Sequence, residues 1–205
     1  MEEKIKKTIE SLRAHAFPVE YVPGKKEAAQ LVLQYVPSDA GVGIGGSVTI
    51  RELGLIDALK ERGNTVYDHS AEGLDPQEAL ATRIKQMTCD LFISSVNAIT
   101  QTGELVSIDG VGNRINAMNF GPKKVIIVAG INKIVEDLPR ALERVRNIAA
   151  PQNARRLGLE LPCAKTGRCS DCNSPLRICR SILIMERRPH LTDITIVLVR
   201  EQLGY

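Results

Sequence analysis

The chain of 205 residues has a formal net charge of +3, with 43% hydrophobic, 25% charged and 3% aromatic residues and no tryptophan. That length and composition describe an ordinary soluble globule built around one sizeable core. So small a charge does not suggest a nucleic-acid footprint, and so few aromatics argue against a base-stacking platform. The first residues, MEEKIKKTIE, form a charged amphipathic start without an apolar signal core, and the longest apolar runs are only strand length. A cytoplasmic protein with no membrane-spanning segment is therefore expected.

Helical and extended patterns alternate along the chain. Glu3 to Ala14 reads as a helix, with Ile5, Ile9 and Leu12 on one face. Gly24 to Tyr35 is a second helix between Pro23 and Pro37, and Gly41 to Ile44 is a short buried strand. Ile50 to Arg62 is helical with a break at Gly54, and Gly63-Asn64 ends it. Thr65 to Tyr67 is extended, and Pro76 to Met87 is helical with the proline in the first turn. Leu91 to Val96 and Val125 to Ala129 are near-continuous apolar runs, suited to parallel strands covered on both faces. A short strand, Leu105 to Ile108, and a helical stretch to Asn119 lie between them, and Glu136 to Ala149 is a further helix. Ile182 to Met185 and Ile194 to Val199 read as strands with no helix between them, expected to pair with each other or to extend the sheet. The alternation predicts a mostly parallel α/β sheet flanked by helices over residues 1–205, with a cysteine-rich loop, 163–179, set before the final strands.

Two segments have the composition of a binding cleft. In Gly41-Val-Gly-Ile-Gly-Gly-Ser-Val-Thr49 a strand closes and a helix opens. Glycines allow close backbone approach, and free N–H groups at a helix start favour an anion. Gly45, Gly46 and Ser47 are the candidate phosphate or carboxylate cradle, with Ser47 and Thr49 as natural N-caps; a plain strand-to-helix turn is the alternative. The spacing is neither a dinucleotide fingerprint nor a P-loop. The second segment runs from Ser94 to Arg114. In open parallel sheets ligands bind beyond the carboxyl ends of strands, where Asn97 and Thr100 fall. Asn113 and Arg114 begin a helix and are candidate anion donors, and Asp109 is a candidate acid or base. The alternative is that Asn113 caps the helix and Asp109 orders a turn. Lys133 follows the next strand and either faces the same cleft or is simply solvated. His15, His69 and His190 are isolated, with no pairing suited to a metal.

Four cysteines, Cys163, Cys169, Cys172 and Cys179, sit in a seventeen-residue window spaced C-x5-C-x2-C-x6-C. Gly167 and Pro175 bend the chain between them, so the thiolates can converge on one point. Lys165, Arg168, Arg177 and Arg180 are opposed only by Asp171, and such an excess of positive charge offsets the negative charge of a four-thiolate site. The alternatives are two disulfides, which need an oxidising compartment, or four unrelated thiols. Zinc ribbons usually show two close pairs; here only Cys169 and Cys172 form one, and the uneven spacing favours iron–sulfur, a [4Fe–4S] cluster, over zinc. Cys89 stands apart on an apolar segment and is read as a core residue.

Taken together, these pieces resemble the LUD-domain family, named for lactate utilization. The resemblance rests on Gly43-Ile-Gly-Gly-Ser47, Ser95-Val-Asn-Ala-Ile-Thr100, Thr102-Gly-Glu104, Gly112-Asn-Arg114, Gly121-Pro122, Ala129-Gly-Ile-Asn-Lys-Ile134 and the Cys163 to Cys179 segment. It implies a fold like that of the sugar-phosphate isomerase and CoA-transferase superfamily, and a link to oxidation of L-lactate to pyruvate in a multi-protein iron–sulfur system. In related enzymes of that superfamily the glycine turn and the segment resembling Asn97 to Arg114 flank the substrate, and some carry a catalytic acid where this chain has Asn97. The chain lacks the second ferredoxin-like cysteine set of larger members. A lone cluster ordinarily passes one electron whereas lactate oxidation removes two, so partner redox subunits are expected. One reading is a subunit of organic-acid oxidation with a cluster beside an anion-binding cleft. The other is a non-catalytic carboxylate- or phosphate-binding protein whose zinc or cluster pins the C-terminal loop. Either allows an oligomer.

Overall fold

The computed structural model describes residues 1–205 and contains two sheets. The elements in chain order are α1 (Glu2–Ala14), β1 (Val19–Val22), α2 (Lys25–Tyr35), β2 (Gly41–Ile44), α3 (Val48–Glu52), α4 (Leu55–Glu61), β3 (Thr65–Asp68), α5 (Pro76–Gln86) and β4 (Leu91–Ser94). Then follow β5 (Ala98–Thr100), β6 (Leu105–Asp109), α6 (Asn113–Asn119), β7 (Lys124–Gly130), β8 (Ile134–Val135), α7 (Leu138–Arg144), α8 (Ala150–Arg156), α9 (Pro162–Thr166), β9 (Ser181–Met185) and β10 (Asp193–Val199). A six-stranded sheet in the order β1-β10-β7-β4-β2-β3 is parallel throughout. A four-stranded sheet, β8-β5-β6-β9, is mixed.

The apolar runs explain the large sheet. Side chains alternate faces along a strand, so a strand covered on both sides needs apolar residues at every position. In β7, Val125, Ile127 and Ala129 pack with Phe92, Ile196 and Leu198 beneath Ile5 and Leu12 of α1 and Met118 of α6. Ile126 and Val128, between them in sequence, pack on the opposite face with Val197 and Val199 under α2 (Ala28, Val32) and α4 (Leu55, Leu59). Each face is thus sealed by helices on its own side, as right-handed crossovers require.

Of the two expected alternatives for the C-terminal strands, pairing with each other is not found, and extending the sheet holds for one strand: β10 lies between β1 and β7 in the large sheet, whereas β9 joins β6 antiparallel in the small one. The reason is composition. Asp193–Val199 is apolar at nearly every position and fits a doubly covered slot, while Ser181, Ile182 and Ile184 of β9 remain exposed at an edge. The helix expected to end at Ala149 runs on to Arg156 through a wide π-helical stretch, Val145–Ala149. Pro151 cannot donate the usual backbone bond, and a π segment is where a helix absorbs such a defect. No helix is long and apolar enough to cross a membrane.

Candidate functional site

The large sheet reverses its strand order between β2, which leads outward to β3, and β4, which leads back toward β7. Such a switch point opens a crevice at the carboxyl ends of the strands. Here it holds a cavity of about 250 Å³ bounded by the turn at Gly46–Thr49, His69, Arg83, the Ser95–Asn97 turn, the Ile108–Arg114 segment and Lys133. Gly45 sits just behind it. A Cβ there would lie 2.5 Å from Ser94 Oγ and 3.2 Å from Phe92, so glycine lets the end of β2 press against β4. Ser47 occupies the N-cap position of α3 but makes no capping bond with its side chain. Thr49 lies within that helix rather than at its cap, and its hydroxyl bonds Lys133.

Most predicted residues meet in this cavity: Gly46, Ser47, Asn97, Asp109, Asn113, Arg114 and Lys133 all line it. Thr100 does not. It is fully buried in β5, where its hydroxyl bonds the Glu104 carboxylate and Thr102. Arg114 reaches the cavity but is not a free anion donor. Its guanidinium donates to Ser95 O at 2.9 Å, Asn97 Oδ1 at 3.0 Å and Ile108 O at 2.6 Å, and lies 3.8 Å from Asp109 Oδ2. Burial alone pushes its pKa down and Asp109 opposes the shift. Asp109 in turn accepts from the backbone of Val111, Gly112 and Ile115, so it orders the turn into α6. Asn97 Oδ1 is shared between Ile108 N and Arg114. Asn113 follows the cap residue Gly112 and donates to Gln86 at 3.3 Å.

Lys133 is the unusual member. It is 2% exposed, yet its Nζ touches only hydroxyls: Thr49 Oγ1 at 2.9 Å and Ser95 Oγ at 2.8 Å. Burial pushes its pKa down to about 7, helped by the positive charges of Arg144 and Arg114 against the weaker opposing pull of Glu52. Arg144, also buried, donates to Asn97 O, and burial lowers its pKa to about 10. Three cations, Lys133, Arg114 and Arg144, therefore converge on Ser95–Asn97. Asp109 is the one carboxylate among the cavity-lining residues, against Lys133, Arg83, Arg114 and Arg156.

His69 is isolated in sequence, and no local pattern marks it. The fold brings it to the cavity, where a Cβ on Gly46 would lie 3.3 Å from its Nε2. Gln86 donates both amide hydrogens, to Ile44 O and Tyr67 O at 2.8 Å each, so its oxygen is the partner for a hydrogen on His69 Nδ1. This assigns the neutral ring an acceptor at Nε2. Burial, then the charge of Arg83, lowers the His69 pKa and favours that neutral form.

All five cysteines are free thiols. Cys89 is 5% exposed in the main core, its pKa pushed up by burial to about 11. The four clustered thiols line a second cavity of about 120 Å³, together with Arg146, Arg177 and Arg180. Arg177 clamps the loop, donating to Cys172 O at 2.8 Å and Cys179 O at 2.9 Å and pairing with Asp171. Asn147, in the π-helical stretch, accepts from Cys169 N at 3.2 Å. The Cys163 pKa is raised by burial first and then by the charges of the other three cysteines. No three of the chain's His, Cys, Asp or Glu side chains stand at the spacing of a single bound ion. Four thiols around one arginine-lined cavity are the donors and the charge that a four-thiolate site would draw on. The two cavities share a wall made by Ile108 and Ala150.

Fold and site together define a parallel α/β protein with a cationic switch-point cleft and an adjoining four-cysteine loop. The LUD-domain family model matches residues 5–199, and the chain belongs to that family, which is associated with lactate utilization. A crystal structure of a DUF162 family protein from Deinococcus radiodurans is similar in fold at a TM-score of 0.56 and 13% identity, with 97% of each chain covered. Ribose 5-phosphate isomerase from Plasmodium falciparum matches 55% of this chain and 52% of its own at a TM-score of 0.36 and 20% identity, too distant to lend any residue a role. The sequence matches no curated protein.

Proposed function

We propose that the protein is a component of organic-acid metabolism, in L-lactate oxidation to pyruvate, that binds a small anionic acid in the switch-point cleft beside a four-cysteine iron–sulfur site. The observation that carries this reading is the charge balance of the cleft, where four cationic side chains face one carboxylate and the buried Lys133 has no acidic partner. Buried cations without counter-ions are costly, and a carboxylate or phosphorylated ligand supplies what is missing. The unused Ser47 hydroxyl and the Gly46–Ser47 backbone stand at the same mouth.

Cys163, Cys169, Cys172 and Cys179 would hold the cluster, which when bound supplies one-electron transfer. The chain's own part is to order those thiols through Arg177 and Asn147 and to set them one residue layer from the acid. Removing two electrons from lactate calls for a further carrier, assigned here to partner redox subunits.

Calorimetry with L-lactate, pyruvate and the neutral analogue lactamide tests the cleft. Both acids should bind, with the amide weaker by 10-fold or more, about the worth of one charged hydrogen bond. Equal affinity for the amide would overturn the reading. Anaerobic purification should yield iron and acid-labile sulfide, and the isolated chain should oxidise lactate with an artificial acceptor only after partner proteins are added.

A further inference from the structure

The cleft contains a single amine, on Lys133, and its setting differs from that of a structural lysine. Buried lysines normally meet a carboxylate. Lys133 Nζ meets the Thr49 and Ser95 hydroxyls, at 2.9 and 2.8 Å. A hydroxyl accepts from an ammonium and donates equally well to a neutral amine. The charged groups that face it are Arg114 on α6, Arg144 on α7 and Glu52 on α3. Arg114 and Arg144 are each bonded to main-chain carbonyls, and Glu52 is engaged by the backbone of Gly204 at 3.0 Å. None of the three hydrogen-bonds the amine. Two guanidiniums and burial destabilise the ammonium, the arrangement that activates amine nucleophiles.

We propose that Lys133 is a covalent catalytic residue whose Nζ condenses with the ketone carbon of a small 2-oxo acid held in the cleft, giving an imine. The assignment rests on the organic-acid reading of the cleft and deepens it by naming the carbonyl class. The neutral amine donates its lone pair to C2 of the acid, and the C–N bond forms as the carbonyl π bond opens. One amine proton passes to the resulting alkoxide to give a carbinolamine. The hydroxyl then takes a second proton and leaves as water as the C=N bond forms. Amine and ketone become imine and water, with no change of oxidation state and no co-reactant. The Ser95 and Thr49 hydroxyls, both in contact with Nζ, are placed to pass those protons between nitrogen and oxygen. The acid's carboxylate answers the cationic excess around Ser95–Asn97.

Borohydride trapping tests this on the intact chain. The protein is incubated with pyruvate, reduced, and mapped by peptide mass spectrometry, with pyruvate binding measured in parallel by calorimetry. One carboxyethyl group on Lys133, formed at a rate that rises through pH about 7, is the expected result. Lys133→Arg should form no adduct at that position. Pyruvate binding without an adduct on Lys133 would overturn the imine while leaving the cleft reading intact. Absence of both binding and adduct would overturn both. Adduct spread over surface lysines, or formation that accelerates only toward pH 10, would mark Lys133 as an ordinary amine. Because the decisive measurement uses the unaltered protein, a variant that fails to fold does not rescue the proposal.

Discussion

Lys133 donates to the hydroxyl of Ser95 at 2.8 Å, while the carbonyl of that same Ser95 accepts from the Arg114 guanidinium at 2.9 Å. One residue just past the end of β4 thus holds two cations, one through its side chain and one through its backbone. The two are not equivalent. Arg114 has a full set of acceptors, with Asp109 beside it; Lys133 has hydroxyls alone. The first secures the wall of the cleft, and the second is the amine to which the proposed imine is assigned.

That difference predicts opposite effects on stability. The folded-state pKa of Lys133 is depressed to about 7 from the usual lysine value. Between those two values the unfolded chain holds a proton that the folded chain lacks, so this group's contribution to stability rises with pH across the window. Below pH 7 its burial is penalised in full. Lys133→Met should therefore stabilise the protein by ~2–4 kcal/mol near pH 6.5, from about 1.4 kcal/mol per pKa unit less the loss of two hydroxyl contacts. The gain should fade toward pH 10. Urea unfolding at both values measures it, and a constant difference between them would contradict the burial account.

Arg114→Ala should do the reverse and unfold the wall. Ser95 O, Ile108 O and the Asn97 amide lose their donor together, and Asp109 loses its neighbouring charge. Breaking such a buried network costs about 3–5 kcal/mol. Arg114→Lys should recover little, because a point charge cannot serve three acceptors in a fork. The check is a denaturation midpoint measured without ligand. A fully stable Arg114→Ala protein with only weakened ligand binding would restore the anion-donor role expected from sequence.

The contrast shows what sequence could convey. The strands of the large sheet were legible because double coverage leaves an unbroken apolar run, as in Val125–Ala129. β1 was not: in Val-Glu-Tyr-Val only Val19 is buried, since an edge strand next to solvent carries no such signal. β5 and β8 were hidden because two- and three-residue strands have no periodicity to read. In the cleft, residue types were informative but roles were not. Whether Lys133 is solvated or sealed depends on Thr49 and Ser95, tens of residues away. His69 acquires its place only through Gln86, which ties the ends of β2 and β3 together. That the four cysteines meet at one cavity was readable from spacing because they lie near each other in sequence, but that cavity's shared wall with the cleft was not.

The metal assignment predicts a clean division among the cysteines. Cys169→Ser should lose bound iron and loosen residues 163–179, because coordination and local folding are linked. Cys89→Ala should keep the metal, since its thiol sits in the core, with Gln86 O and Leu91 O, each at 3.2 Å, as alternative acceptors for its one hydrogen. Metal analysis of both variants decides it. Retention in Cys169→Ser with loss in Cys89→Ala would reverse the assignment.

The shared wall predicts that the two cavities respond together. Arg180 N, next to Cys179, donates to Asp109 O at 2.9 Å, and Asp109 pairs with Ser181 where β6 meets β9. Beside that bond Gly110 packs against the chain before Cys179: a Cβ on Gly110 would lie 2.9 Å from Ile178 O and 3.1 Å from Ile178 Cα. Those are backbone atoms, so no side-chain rotation can relieve the contact. In Gly110→Ala either the Asp109–Arg114 turn or the cysteine loop must move. Overpacking of this kind costs about 1–3 kcal/mol. Iron content and pyruvate affinity should fall together, although Gly110 bears neither a metal ligand nor a charge. Titrating the variant for both, beside a urea curve, gives the answer. Wild-type values of all three would mean that the two sites are neighbours without being coupled.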